Sequence, residues 1–144
     1  MTENSVPDRD QNVLAGAGDS VSFEIEVPRQ ARSGRTIAIV LRLRNPTADT
    51  LTLHLLGRVM TYDIIARDSA GREVFRLLHG RSTPAILRLE RLAAGEFRQM
   101  AYRWELRGND GDQVPPGDYT LEAELPTDAA PIRSPPVPLR ILPR

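Results

Sequence analysis

The feature that most constrains this chain is a β-hairpin predicted over residues 62–78, where two apolar runs flank the tetrapeptide Asp68-Ser69-Ala70-Gly71. Asp at the first turn position can accept hydrogen bonds from the backbone that follows it, and Gly71 can adopt positive φ. The four residues therefore favour a type I turn closed by a G1 bulge. The first strand has Ile64 and Ile65 in succession, which places apolar side chains on both of its faces. We expect this strand to lie inside a sheet.

Apolar and polar residues alternate with a period of two along most of the remaining chain. The pattern covers residues 20–27, 36–45, 51–55, 86–92, 97–106, 119–125 and 137–142. Turns or proline-rich joins separate these segments, and no window has the period of a helix. About eight or nine short strands at such intervals predict an all-β fold, an antiparallel β-sandwich.

Three finer expectations concern how the strands connect. The pentapeptide Asn45-Pro46-Thr47-Ala48-Asp49 predicts a tight turn that pairs the strands on either side of it. The prolines that bound or interrupt residues 137–142 predict an edge strand, because proline cannot donate a ladder hydrogen bond. Residues 79–85 form the first long irregular connection, and we expect them to cross between sheets.

The two ends of the chain differ in composition. Residues 1–19 are polar and contain Pro7, Gly16 and Gly18, so we expect a flexible leader, followed by a single β-sandwich domain over residues 20–144. The first residues lack the apolar core of a secretory signal, and no later run reaches membrane-spanning length. The sequence thus predicts a cytoplasmic protein without a membrane partner. The alternative is a protein from which a signal or lipid anchor has been removed, since its remaining sequence would have the same pattern.

Charge and cysteine content narrow the classes of partner and chemistry. The 19 basic residues, all of them arginine, balance the 19 acidic ones, so no broad positive field exists to hold a nucleic acid. The chain contains no cysteine, which excludes disulfides, thiol catalysis and thiolate metal sites. We expect no cofactor, and a monomer is the default assembly state.

No catalytic or metal-binding constellation is present, so we expect a protein that is not an enzyme. His54 and His79 are the only histidines, and neither has the spacing of a zinc site or a hydrolase triad, so both are expected to be solvated or hydrogen-bonded. The cluster Asn109-Asp110-Gly111-Asp112 is predicted to be a turn. Leu121 stands where a calcium-binding EF-hand loop starting at Asp110 needs its Glu.

Two further groups of side chains have a structural and a functional interpretation. The outward-facing Arg42 and Arg44 could hold an anion, but acidic residues on other strands are expected to pair with them instead. Those acidic residues are Asp63, Glu73, Glu122 and Glu124. Tyr102 and Trp104 could stack on a ligand, but they alternate with Met100 and Leu106 at strand period and are expected in the core.

Short motifs follow one another in a characteristic order over residues 36–125. They are Asn45-Pro46-Thr47, Tyr62-Asp63-Ile64, Asp68 to Gly71 with Glu73-Val74-Phe75, Leu92 with Gly95-Glu96, Trp104, and Pro116-Gly117-Asp118-Tyr119 with Ala123 and Leu125. In order and spacing this succession resembles the BsuPI family of intracellular proteinase inhibitors. The resemblance implies an immunoglobulin-like β-sandwich and non-covalent inhibition of an intracellular serine protease. A bacterial, subtilisin-like target is a further hypothesis, and such a target would accept an apolar loop residue sooner than an arginine. It supplies no reactive site, since the matching residues have the character of fold determinants.

An inhibitor without disulfides needs an exposed loop made rigid by prolines and by the sandwich itself. Two loops meet this requirement. One contains Arg81, Ser82, Thr83 and Pro84, in which Arg81 could enter a specificity pocket; the other contains Gln113, Val114 and Pro115, in which Val114 is the apolar candidate.

Each of the two loops could also be a plain connection. The competing hypothesis for the whole chain is a non-catalytic, immunoglobulin-like binding module with a partner that is not a protease.

Overall fold

The structure is a computed structural model that describes residues 20–144, so the leader expected at residues 1–19 lies outside the described part. The eleven elements of residues 20–144 are all strands. They are β1 Ser22–Glu26, β2 Gln30–Arg32, β3 Ile37–Arg44, β4 Leu51–Leu56, β5 Asp63–Asp68, β6 Glu73–Arg76, β7 Leu87–Leu92, β8 Phe97–Trp104, β9 Gly117–Leu125, β10 Ile132–Arg133 and β11 Val137–Leu142. The short β2 and β10 are the strands that the alternation pattern did not predict.

The strands form two packed layers with an immunoglobulin-like arrangement. A three-stranded sheet has the order β1-β3-β8, and a six-stranded sheet has the order β2-β11-β9-β5-β6 with β10 beside β9. In the immunoglobulin class, the first, second and fifth strands of the core likewise face the third, sixth and seventh. Strands β4 and β7 form a separate two-stranded ribbon, referred to below as the β4–β7 ribbon. The predicted antiparallel β-sandwich is confirmed.

The hairpin of β5 and β6 has the predicted turn. The Gly71 N–H donates to the Asp68 carbonyl oxygen at 2.9 Å, and Gly71 has φ 83°, which a residue with a Cβ adopts only under strain. Strand β5 lies between β6 and β9, as expected. Ile64 joins the hydrophobic core, while Ile65 is fully buried on the opposite face, between its register partners Arg76 and Glu122.

Aromatic side chains join the two layers. Trp104 at the end of β8 is buried, and its indole Nε1 donates to the Arg107 carbonyl oxygen at 2.9 Å. Phe75 from β6 stacks on Trp104 with ring centroids 5.0 Å apart. Tyr102 and Met100 are partly buried against the same core, which confirms the assignment of this face of β8 to the interior.

The tyrosine corner typical of immunoglobulin-like domains is also present. The Tyr119 hydroxyl, near the start of β9, donates to the carbonyl oxygen of Pro115 four residues upstream. The ring itself is buried, and this burial raises the pKa of the hydroxyl. The motif Pro116-Gly117-Asp118-Tyr119 therefore fixes how the chain enters β9.

The connection between β3 and β4 differs from the expected hairpin. The two strands do not pair; β3 lies between β1 and β8, whereas β4 pairs with β7. The fully buried Asn45 explains the separation, since its Nδ2 donates to the carbonyl oxygens of Asp49, Leu92 and Ala93 at 2.7, 2.9 and 3.2 Å. Asn45 thereby ties the turn after β3 to the turn after β7. The strands that follow these two turns, β4 and β8, lie in different sheets.

The predicted edge position of the last strand is wrong. Strand β11 lies between β9 and β2, because β2 pairs in parallel with its second half at Arg140, Ile141 and Leu142. Pro138 lies in the first half, which pairs with β9 alone, so its missing N–H breaks no ladder bond to β2.

The predicted ion pairs of Arg42 and Arg44 are also wrong. Arg42 donates to the Gln99 side chain at 2.9 Å, and within residues 20–144 Arg44 has no acidic partner. The four acidic residues proposed for them lie in the opposite sheet, where Arg67, Arg76 and Arg133 pair with them. The sequence could not show which strands share a sheet.

Candidate functional site

The first predicted loop is an exposed connection that is held firmly at both ends. After β6, the turn of residues 77–80 is closed by hydrogen bonds from His79 N to Arg76 O at 3.0 Å and from Arg81 N to Leu78 O at 2.9 Å. At the far end, Gly57 N donates to Ile86 O at 2.9 Å. The loop runs from the six-stranded sheet to the β4–β7 ribbon, which confirms the predicted crossing.

Between these anchors the backbone is free to bind a partner. Arg81, Ser82, Pro84 and Ala85 are exposed, and Thr83 is half-buried. Over residues 20–144, no hydrogen bond is made by the backbone N–H or carbonyl group of Ser82, Thr83 or Ala85. An extended segment of this kind can pair with the edge of another protein's sheet or cleft.

The anchor at the start of the loop is Asp63, a buried carboxylate with an exposed fraction of 5%. Its Oδ2 accepts from Arg76 Nη1 at 2.6 Å, and its Oδ1 accepts from the backbone N–H of Leu78 at 3.0 Å. Because a buried carboxylate is costly unless it is paired, Asp63 requires both Arg76 and the turn at Leu78. The Tyr62-Asp63-Ile64 motif therefore sets where the exposed loop begins.

An open groove of about 350 Å³ lies beside the same anchor. Asp63 and Arg76 form one part of its lining, and Arg81 and Thr83 contribute from the loop. Arg76 is already bound to Asp63 and Glu73, whereas Arg81 makes no ion pair within residues 20–144. The groove thus leaves Arg81 as its unpaired cation.

The second predicted loop is integrated into the fold. Val114 is buried, with an exposed fraction of 4%, and its N–H donates to the Leu106 carbonyl oxygen at 2.9 Å. The Gln113 side chain accepts from Gly34 N at 3.2 Å and donates to Glu105 O at 3.2 Å. The Pro115 carbonyl is bound by Tyr119. Val114 therefore cannot enter a protease pocket without local opening.

The same loop closes the edge of the six-stranded sheet. Asn109 N donates to Val74 O at 2.9 Å, and Asn109 Oδ1 accepts from Arg76 N at 2.8 Å, so this residue occupies the free edge of β6. The Gly111 N–H donates to Gly108 O at 3.0 Å, which confirms the predicted turn at residues 109–112. This edge is therefore covered within the molecule itself.

An exposed apolar surface that the sequence analysis missed adjoins the first loop. The outer face of the β4–β7 ribbon presents Leu87 and Leu89, which are 51% and 56% exposed, next to Leu56. Ile86, which precedes Leu87 in the chain, and Val59, three residues after Leu56, are 39% and 70% exposed. These five residues are called the ribbon face below. Alternation in residues 86–92 predicted a strand but could not tell which side of it faces solvent.

No group of three or more His, Cys, Asp or Glu side chains in residues 20–144 could hold a metal ion. His54 Nδ1 lies 3.6 Å from Asp128 Oδ2, and His79 is exposed. Across the same residues, no helix is long and apolar enough to cross a membrane.

Comparison with known proteins identifies one matching family. The family model BsuPI, described as intracellular proteinase inhibitor, matches residues 18–130. No curated protein sequence matches the chain at a significant level.

Similar solved structures have low sequence identity. An alkylpurine DNA glycosylase, AlkC, from Pseudomonas fluorescens has a TM-score of 0.50 at 12% identity, over 85% of this chain and 30% of that one. A β-glucosidase from Listeria innocua has a TM-score of 0.48 at 9% identity, over 85% of this chain and 16% of that one. The CARDB domain of PF1109 from Pyrococcus furiosus has a TM-score of 0.47 at 9% identity, over 86% and 94%. The similarity to the glycosylase extends to the fold alone.

Proposed function

This chain belongs to the BsuPI family of intracellular proteinase inhibitors, and from that premise we propose that it inhibits a serine protease non-covalently through residues 81–85. The target proposed is a subtilisin-like enzyme. The chain acts as a binding protein and performs no catalysis of its own.

The observation that carries the proposal is the free backbone between two anchors. A peptide that binds a protease cleft pairs its main chain with the cleft and presents side chains to the pockets. Ser82, Thr83 and Ala85 have unpaired backbone groups, and Arg81 has an unpaired side chain, within residues 20–144. Since both ends of the segment are hydrogen-bonded to the sandwich, little ordering entropy is lost on binding.

The side chains of the segment decide which protease class fits best. Ser82, Thr83 and Ala85 have small side chains, so we expect their contact with the subtilisin-like target to be made mainly by backbone groups. Arg81 would instead suit a protease whose pocket contains a carboxylate. The burial of Val114 favours residues 81–85 over the other loop for this role.

The test is an inhibition assay of the purified protein against subtilisin-like and trypsin-like serine proteases. We expect inhibition of a subtilisin-like enzyme that an Arg81→Ala or Thr83→Pro variant weakens, since Pro at position 83 lacks the backbone N–H. Arg103→Ala is the matched control, because Arg103 is exposed on β8 and has no ion pair within the described range. Unchanged protease activity throughout the panel would refute the proposal. Capture of an intact partner that is not a protease would then favour a general binding module.

A further inference from the structure

The ribbon face exposes apolar side chains of a kind that is usually buried in a protein core. Strand β7 turns Leu87 and Leu89 to solvent while Arg88 and Glu90, which alternate with them, are partly buried. Burying a leucine stabilises a fold by about 1.5–3 kcal/mol, so solvent-facing leucines forgo a large gain. A cluster of apolar residues that remains exposed in this way is characteristic of an interaction surface.

A network of charges beneath the ribbon holds this orientation. Glu90 accepts from Arg88 and, at 2.8 Å, from Arg98 Nε of β8. Arg88 Nη2 also contacts Met60 Sδ at 3.8 Å. Turning β7 over would bury the ribbon leucines but would break the ion pair between Glu90 and Arg98 of β8. The exposure of Leu87 and Leu89 is therefore fixed by the fold and does not result from a loose strand.

The rim of the ribbon face is basic. Arg91 follows Leu89 on the same side of β7, Arg58 precedes Val59, and Arg81 lies in the loop that leads to Ile86. None of these three arginines has an acidic partner within residues 20–144, whereas Arg88 and Arg98 both pair with Glu90. On β4, His54 Nδ1 lies 3.6 Å from the carboxylate of Asp128. A surface that complements this one is apolar at its centre and carries carboxylates around it.

We propose that the ribbon face binds the target protease outside its catalytic cleft, on an apolar surface rimmed by carboxylates. This inference rests on the proposed inhibitory function, since residues 81–85 lead directly through Ile86 into β7. Contact at the loop therefore places Leu87 and Leu89 against the protease, and the second contact slows dissociation. A second copy of this chain is a poorer occupant, because two such faces would bring unpaired arginines together.

The test measures binding to the protease in two forms, one active and one with its catalytic serine covalently blocked. The variant is Leu87→Ser with Leu89→Ser, which replaces solvent-facing side chains and should leave the fold intact. Phe97→Ser is the matched control, because Phe97 is 55% exposed and lies on β8 in a different sheet. We expect the double variant to bind both forms at least about tenfold more weakly, with Phe97→Ser close to the unmodified protein. Arg91→Glu should slow association and reduce its dependence on salt.

The outcomes separate this inference from the proposed function. Inhibition that is unaffected by the double variant would overturn the ribbon face and leave the loop proposal standing. If the protein binds the protease without inhibiting it, and the double variant weakens that binding, the proposal for the ribbon face is supported and the proposed inhibitory function is refuted. Absence of binding to every protease tested would overturn both. Self-association of the free protein that the double variant abolishes would also overturn the inference, in favour of a second copy.

Discussion

Asn45 and Leu92 are 47 positions apart in the chain, yet the Asn45 side-chain amide donates a 2.9 Å hydrogen bond to the Leu92 carbonyl oxygen. The Asn45 Oδ1 also accepts from the backbone N–H of Thr47 at 2.9 Å. One buried amide thus holds the turn after β3 against the end of β7. It separates the three-stranded sheet from the ribbon that carries the exposed leucines.

Replacing Asn45 by Ala should destabilise the fold strongly. The Leu92 carbonyl oxygen loses its Asn45 donor and the Thr47 N–H loses its acceptor, and each buried group left unpaired costs about 1–3 kcal/mol. The other two carbonyl oxygens that Asn45 binds keep a second donor. We expect a loss of about 2 kcal/mol or more in the free energy of unfolding, measured by urea unfolding. Gln99→Ala, at an exposed hydrogen-bonded site, is the control and should change stability by less than about 0.5 kcal/mol. Equal effects of the two variants would contradict the role of Asn45.

The tyrosine corner can be tested by removing single hydroxyl groups. Tyr119→Phe leaves the Pro115 carbonyl without its donor, so we expect a loss of about 1 kcal/mol in the free energy of unfolding. Tyr102→Phe is the matched control, since the Tyr102 hydroxyl makes no hydrogen bond within residues 20–144. The corner would have no energetic role if both variants unfolded at the same urea concentration as the parent.

A substitution at Val114 should separate stability from inhibition. Val114→Ala removes buried methyl groups and should lower stability by roughly 1–2 kcal/mol, which a thermal melt records as a lower Tm. Since the side chain is buried, inhibition by the folded protein should stay unchanged. Arg81→Ala should show the reverse, with an unchanged Tm and weaker inhibition. Loss of inhibition by a fully folded Val114→Ala protein would instead make the second loop the reactive one.

The β-strands were predictable and their partners largely were not. The turn at Asp68 and the interior position of β5 follow from local chemistry, as do the buried Trp104 and the partly buried Tyr102. The choice of β7 as partner for β4 depends on Asn45 reaching Leu92, a contact between residues distant in sequence. The exposure of Leu87 and Leu89 likewise depends on Glu90 meeting Arg98 of β8. Period-two alternation is the same whichever side of a strand faces solvent. The exposed ribbon face therefore could not be predicted from the sequence.

Stability should fall in acid because several carboxylates have a lowered pKa in the folded protein. The backbone N–H of Arg72 lowers the pKa of Asp68, that of Ala93 lowers the pKa of Glu96, and the Arg140 side chain lowers the pKa of Asp118. Between the folded and unfolded pKa values the unfolded chain binds more protons, so stability rises with pH there. The contribution is complete above the unfolded values of about 4 and is lost as pH falls through the folded ones.

Urea midpoints measured at a series of pH values check this expectation. The midpoint should change little as pH falls from neutrality towards about 5, and should then decline below about 4. Asp68→Asn keeps an acceptor for the turn but cannot titrate, so its decline should be shallower. A midpoint that does not change in acid, or the same decline in Asp68→Asn, would contradict these pKa assignments.

The most direct measurement of the central claim is an equilibrium inhibition titration of a subtilisin-like protease with the unmodified protein, Arg81→Ala, and Thr83→Pro. We predict a one-to-one inhibitory complex for the unmodified protein and clearly weaker inhibition by both loop variants, each with the Tm of the parent. A protease that retains full activity in a large molar excess of the unmodified protein would contradict the claim. So would inhibition that both loop variants leave unchanged.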